Sequence, residues 1–216
     1  MSDRIVFLLL GAYLVGNLSP GWLLVRLFGR GDVRAQGSGG TGATNAARTL
    51  GKSWFYAVLA LDMFKAALAV WLPLVLAAVG IEPPGTDNIF SIQVACGAGV
   101  ISGHIWPVLL GFRGGKGVGP FLGVWCALGF VAWPQYWLVP FTLLAPIAAG
   151  LFFLFLFKKG AFMSALCALP TQPLALWFLT RDITATALAT VIIVCILTAH
   201  RSNFKTAFGK QPVVSV

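Results

Sequence analysis

Long apolar runs, separated by short stretches of charge, glycine or proline, restrict this chain more than any other feature. A helix needs about 20 apolar residues to cross the ~30 Å hydrocarbon core of a bilayer. Runs of about that length fall at 5–28, 54–79, 89–110, 118–133, 136–157, 161–179 and 183–199. In lipid a segment must satisfy its own backbone hydrogen bonds, so each run is expected to be helical. The expected fold is all-α: a polytopic membrane protein of about seven transmembrane helices, forming one domain over residues 1–216. Composition excludes the other classes. Only 10% of residues are charged and 58% are hydrophobic, with a mean hydropathy of +0.88, whereas a soluble domain carries about a quarter charged residues and a disordered one few large apolar residues. The first run is too long, and Met1 to Arg4 too weakly basic, for a cleaved signal peptide, so it is expected to stay as a membrane helix. Cys96, Cys126, Cys167 and Cys195 each lie in an apolar run without metal-ligand spacing and are expected to be inert packing residues; no metal site is expected.

The net charge of +9, from 15 Lys and Arg against 6 Asp and Glu, follows topology. With the N-terminus outside and the C-terminus inside, the inner segments hold Arg30, Arg34, Arg48, Lys52, Arg113, Lys116, Lys158, Lys159, Arg201, Lys205 and Lys210. The outer ones hold Arg4 and Arg181 beside Asp3, Glu82, Asp87 and Asp182. Cations collect on the cytoplasmic side of membrane proteins, so the charge needs no nucleic acid to explain it.

The inner segments are also ordered chemically. The first contains Gly37, Ser38, Gly39, Gly42, Thr44, Asn45 and Arg48. Glycines let an anion approach backbone N–H groups, while hydroxyl, amide and guanidinium groups add donors, a combination suited to phosphate. A flexible connector is the plainer alternative. Gly37, Gly39 and Gly42 match G-x-G-x-x-G but follow a membrane run rather than a strand, and Ala46 stands where a Walker motif ending at Gly51 and Lys52 needs glycine. The second inner segment carries Gly114, Gly115, Lys116 and Gly117, another nest around one cation, with His104 about two turns earlier as a ligand or a buried neutral histidine. The third is His200, Arg201 and Asn203 at the end of the last run. Asp62 and Lys65, at i and i+3 inside the second run, read as a structural ion pair. Asn17, Ser19 and Pro20 read as a kink in the first.

These segments, taken in order, resemble the signatures of the bacterial membrane glycerol-3-phosphate acyltransferases that use acyl-phosphate (PlsY). The matching residues are Gly37-Ser38-Gly39, Gly42, Thr44, Asn45 and Arg48; His104, Pro107 and Gly114-Gly115-Lys116-Gly117; and His200-Arg201 with Asn203. Gly40 stands where that family usually has asparagine, Gly119-Pro120 where it has Ala-Thr, and Gly209-Lys210-Gln211 where it ends Gly-x-Glu. The resemblance implies seven spans in the bacterial inner membrane, a cytoplasmic site, and transfer of a fatty acyl group from acyl-phosphate to the 1-hydroxyl of sn-glycerol 3-phosphate. The products are lysophosphatidic acid and phosphate; no cofactor and no coenzyme A are implied. Other glycerol-phosphate acyltransferases use His-x-x-x-x-Asp, but Leu109 and Lys205 follow the two histidines at that spacing. Direct attack by the glycerol hydroxyl is therefore expected. Ser38, Arg48, Lys116 and His200 are the expected catalytic residues. Gly37, Gly39, Gly42, Thr44, Asn45, His104, Gly114, Gly115, Gly117, Arg201 and Asn203 are expected to bind substrate. A transporter for an anionic metabolite, or an acyltransferase diverged to another substrate, are the rival readings; no internal repeat favours transport.

Overall fold

The computed structural model describes residues 3–81, 89–131, 142–157 and 166–208. Among the described residues every regular element is helical. The first apolar run forms α1 (Asp3–Asn17) and α2 (Pro20–Leu27), and Pro20 opens α2 at a position that needs no donor. The expected kink is a full break at Leu18 and Ser19. Lys65 Nζ, from the second run, donates to the carbonyls it frees, Gly16 O at 3.2 Å and Leu18 O at 2.5 Å.

The remaining helices are α3 (Ala43–Leu50), α4 (Trp54–Ala78), α5 (Ile89–Ile105), α6 (Val118–Val131), α7 (Leu144–Phe157), α8 (Thr171–Thr180), α9 (Ile183–Ala199) and α10 (Arg201–Phe208). The expected run at 183–199 coincides with α9, whose N-cap Asp182 accepts from Ala185 N at 2.9 Å. α3 corrects the reading of the first inner segment as a loop: its second half is helical, so Thr44, Asn45 and Arg48 sit on a rigid element. Three helical stretches, Ile5–Leu27, Trp54–Ala78 and Ile89–Leu110, are long and apolar enough to cross a bilayer; Val118–Gly129, Leu166–Thr180 and Ile183–Ala199 are shorter apolar helices. The fourth, fifth and sixth expected runs extend into residues outside those described. The cysteines are free; Cys96 is buried as expected, but Cys167 is exposed and packs no core.

Apolar side chains occupy both the inside and the outside of the helix assembly. Ile101, Trp125, Leu128, Leu176, Ile192 and Ile196 are fully buried, while Phe7, Leu10, Leu68, Phe178 and Val194 are exposed. Such a surface suits lipid rather than water. Without a hydrophobic force between helices in lipid, close backbone contact must hold them together. α1 packs on α5, and α4 on α6. A Cβ at Gly103 would strike the Tyr13 backbone, and one at Gly123 the Met63 backbone. Gly119, one turn before Gly123, leaves 3.0 Å between such a Cβ and Asp62 Cβ. Gly103→Val is expected to separate α1 from α5 and cost about 1–3 kcal/mol, read as a lower unfolding midpoint in detergent.

Candidate active site

The break in the first run leads into a chain segment that its own side chains lock. Asp32 accepts from Arg34 Nε at 3.0 Å and Nη2 at 2.7 Å. The hydrogen bond from the Arg34 guanidinium holds the Asp32 carboxyl down at about 2. Arg34 Nη1 also donates to Leu110 O at 2.7 Å, tying this segment to the end of the third apolar run. Asn45 is the centre of the turn. Its Nδ2 shares its two hydrogens among Val33 O at 2.8 Å, Gln36 O at 2.9 Å and Gly40 O at 2.8 Å, and its Oδ1 accepts from Ser38 N at 3.1 Å. Asn45, expected to bind substrate, lines the cavity and also holds this turn together. Gly37 takes φ +55°, and a Cβ there would run into Asn45 Oδ1 and the Arg48 side chain. Asn45→Ala is expected to strand buried carbonyls at about 1–3 kcal/mol and to lower turnover as Ser38 and Arg48 lose their placement, checked by thermal unfolding beside kcat.

The second segment folds back on α5. Gly114 N donates to Ile105 O at 3.2 Å and Gly115 N to His104 O at 3.0 Å, while Thr41 N reaches Gly114 O at 3.3 Å. First and second segments are therefore bonded to one another. The third joins through Lys116 Nζ, which donates to Asn203 Oδ1 at 2.6 Å. His200, at the end of α9 and 1% exposed, places Nδ1 2.8 Å from Ile196 O. A carbonyl only accepts, so Nδ1 carries a hydrogen. Burial pushes the His200 pKa down; the Ile196 carbonyl opposes this and the Lys116 charge adds to it.

Burial also lowers the Lys116 pKa, with the nearby Arg48 charge as the second cause. Lys116 is cationic below its pKa and loses its charge as pH rises through it, so a lowered value moves that loss toward neutral pH. Arg48→Gln removes one lowering cause and is expected to shift the alkaline limb of residual activity to higher pH, seen in rate against pH.

Together the segments enclose a cavity of about 520 Å³. Its lining holds Ser38, Thr44, Asn45, Arg48, Lys116, His200 and Asn203, with Gly42, Gly115 and Gly117, and also the apolar side chains of Phe55, Leu59 and Val118. Gly37, Gly39, Gly114 and Arg201 are not among its lining residues: the first three shape the turns behind it, and Arg201 is exposed. The apolar lining residues Phe55, Leu59 and Val118, and Gly40, were not singled out in the sequence as site residues. Phe55 and Leu59 lie one helical turn apart at the start of α4, a signal inseparable from the rest of an apolar span.

Asp62 and His104 also line the cavity, beneath the second segment. Lys65 Nζ lies 2.8 Å from Asp62 Oδ1 and 3.0 Å from His104 Nδ1, which is itself 3.3 Å from Asp62 Oδ1. The expected ion pair is present, and it includes His104.

An apolar helical body with a cationic, glycine-shaped cavity that apolar side chains also line defines a membrane protein with a site chemically suited to an anion. Residues 6–210 match the family model described as glycerol-3-phosphate acyltransferase, and the chain belongs to that family of membrane acyltransferases. It is 38% identical over 211 residues to glycerol-3-phosphate acyltransferase 1 of Desulfitobacterium hafniense (strain Y51), covering 95% of this chain and 92% of that one. With the glycerol-3-phosphate acyltransferase of Staphylococcus saprophyticus it shares 36% identity over 213 residues, covering 97% and 98%. The fold is similar to the crystal structure of PlsY, an integral membrane glycerol 3-phosphate acyltransferase, in its glycerol 3-phosphate form, with TM-score 0.70 and 29% identity over 93% of this chain and 90% of that one. The lysophosphatidic acid form gives TM-score 0.67 at 28% identity, with the same coverage.

Proposed function

We propose that this chain transfers a fatty acyl group from acyl-phosphate to the 1-hydroxyl of sn-glycerol 3-phosphate, giving lysophosphatidic acid and inorganic phosphate for phospholipid synthesis. The observation that carries this reading is the union of three polar clusters, distant in sequence, around one cavity that Phe55, Leu59 and Val118 also line. Both substrates carry phosphate, and one carries a chain that lipid and apolar side chains can hold. The chain acts as one domain of seven spans in the bacterial inner membrane, N-terminus outside, C-terminus inside and cavity toward the cytoplasm. The cations gathered at that end support this orientation.

Ser38 and Arg48 bind phosphate, with Thr44 and Gly42 beside them on the rim of α3. Lys116, framed by Gly115 and Gly117, stabilises charge on the acyl oxygen or the leaving phosphate. His200 and Asn203 orient glycerol 3-phosphate. The 1-hydroxyl oxygen forms a bond to the acyl carbon, the carbon–oxygen bond to phosphate breaks, and its electron pair leaves on the phosphate oxygen. The hydroxyl proton ends on phosphate. Positioning and stabilised charge then supply the rate, with neither a covalent acyl-enzyme nor coenzyme A. Donor exchange tests this: acyl-phosphate should support lysophosphatidic acid formation and acyl-coenzyme A should not. Equal rates with both donors would overturn the donor assignment.

A further inference from the structure

We propose that Arg34 is a positioning residue for acyl transfer: through Asp32 and the Leu110 carbonyl it fixes the gap between the first segment, with Ser38 and Arg48, and the second, with Lys116. Neither Asp32 nor Arg34 is among the residues that line the cavity, so an effect on the reaction passes through groups that are. The proposal rests on the acyl-transfer reading and adds to it a residue that sets the dimensions of the site.

The guanidinium is held on one edge and reaches across with the other. Asp32 accepts from its Nε at 3.0 Å and its Nη2 at 2.7 Å, and Asp32 Oδ1 also accepts from Arg34 N at 2.9 Å. A carboxylate paired in this way fixes the plane of the fork. Nη1 is then aimed at Leu110 O, 76 residues along the chain, and donates to it at 2.7 Å. The two segments also meet through the backbone, where Thr41 N reaches Gly114 O in a longer bond of 3.3 Å. A lysine has the charge of Arg34 but no rigid fork with which to hold Asp32 and Leu110 O at once.

Two features of the second segment call for such a tie. Its turn is strained: Gly111 and Phe112 both take φ of +62°, and a phenylalanine in the left-handed region persists only where its surroundings hold it. At 60% exposure the Phe112 ring gives little packing in return. Hydrogen bonds hold the turn instead. Tyr13 Oη donates to Trp106 O at 2.7 Å and Asn17 Oδ1 accepts from Leu109 N at 3.2 Å, both from α1, while Arg34 comes from the first segment. The other feature is charge. Arg48 and Lys116 line one cavity from the two segments, near enough for Arg48 to lower the Lys116 pKa, and like charges repel until an anion lies between them. Arg34 holds the segments together without adding to that repulsion, because Asp32 balances its charge.

The pair is partly exposed, 23% for Arg34 and 29% for Asp32, so breaking it should cost little stability. Arg34→Gln is expected to lower the unfolding midpoint by less than about 4 °C, yet to lower kcat about 10-fold. A double-mutant cycle with Lys116→Ala separates positioning from a merely structural role. If Arg34 acts by setting the gap to Lys116, little remains to be set once Lys116 is gone. Arg34→Gln should then cost no more than about 2-fold in the Lys116→Ala background. Arg34→Lys, with the charge kept and the fork lost, should fall between the unaltered protein and Arg34→Gln. Equal losses in both backgrounds would overturn the proposal, and so would an unchanged kcat in Arg34→Gln. Should Arg34→Gln fail to fold, Arg34→Lys takes its place in the cycle and the same outcomes decide. Should the unaltered protein form no product, acyl transfer fails separately, and calorimetric binding of sn-glycerol 3-phosphate to the unaltered, single-variant and double-variant proteins decides. A loss of affinity from Arg34→Gln that shrinks when Lys116 is absent supports the proposal; no loss, or one independent of Lys116, overturns it.

Discussion

Lys116→Ala is expected to lower acyl transfer about 10²-fold or more, with kcat and kcat/KM falling together, while the unfolding midpoint barely moves. The ammonium is half-buried on the second segment, held by Asn203 Oδ1 at 2.6 Å and flanked by glycines that leave its approach open. It contributes no core packing, so its removal leaves the helices as they are. It does remove a fixed charge from a site where negative charge develops, and losing one such donor costs about 10²–10³-fold in rate. A loss confined to the transition state appears equally in kcat and kcat/KM, whereas a lost ground-state phosphate contact raises KM alone. Arg48→Ala should fall as steeply, since its guanidinium faces the same cavity from α3. Phosphate release from acyl-phosphate, measured at saturating and limiting glycerol 3-phosphate, separates these outcomes.

The second large effect falls on stability. Lys65→Met is expected to destabilise the protein by about 3–5 kcal/mol, because it leaves Asp62 as an unpaired buried charge. For a chain of this size each kcal/mol is worth about 2–4 °C in unfolding midpoint. The same change strands the Gly16 and Leu18 carbonyls that Lys65 satisfies at the break between α1 and α2. Replacing both ionic partners should hurt less than replacing one: Asp62→Leu with Lys65→Met removes the buried charge altogether, so a double variant as unstable as the single one would contradict this assignment. His104 should lose its fixed orientation in both.

The helices were legible in the sequence because span length and the scarcity of charge leave lipid few alternatives, and 183–199 matches α9 end for end. The site was legible for a related reason: in a chain so poor in polar residues, Ser38, Arg48, Lys116, His200 and Asn203 stand out, and the cavity gathers all of them. Roles within the clusters were harder to read. Asn45 and Ser38 look alike as phosphate donors in one dimension, and only the fold shows that carbonyls of the preceding turn consume the Asn45 amide. Arg201 and His200 are neighbours, yet the turn from α9 to α10 buries the histidine and exposes the arginine. The link from Asp62 and Lys65 to His104 joins two helices, and spacing along one chain carries no sign of it. Nor does an i, i+3 pair show that its lysine also closes a broken helix on a third.

The central claim is that the cavity performs acyl transfer between two phosphorylated substrates. Purified protein in lipid nanodiscs, given acyl-phosphate and sn-glycerol 3-phosphate, tests it most directly. The account predicts lysophosphatidic acid and inorganic phosphate in equal amounts, both dependent on glycerol 3-phosphate. Absence of lysophosphatidic acid, with glycerol 3-phosphate instead crossing the bilayer of vesicles that contain the protein, would contradict it.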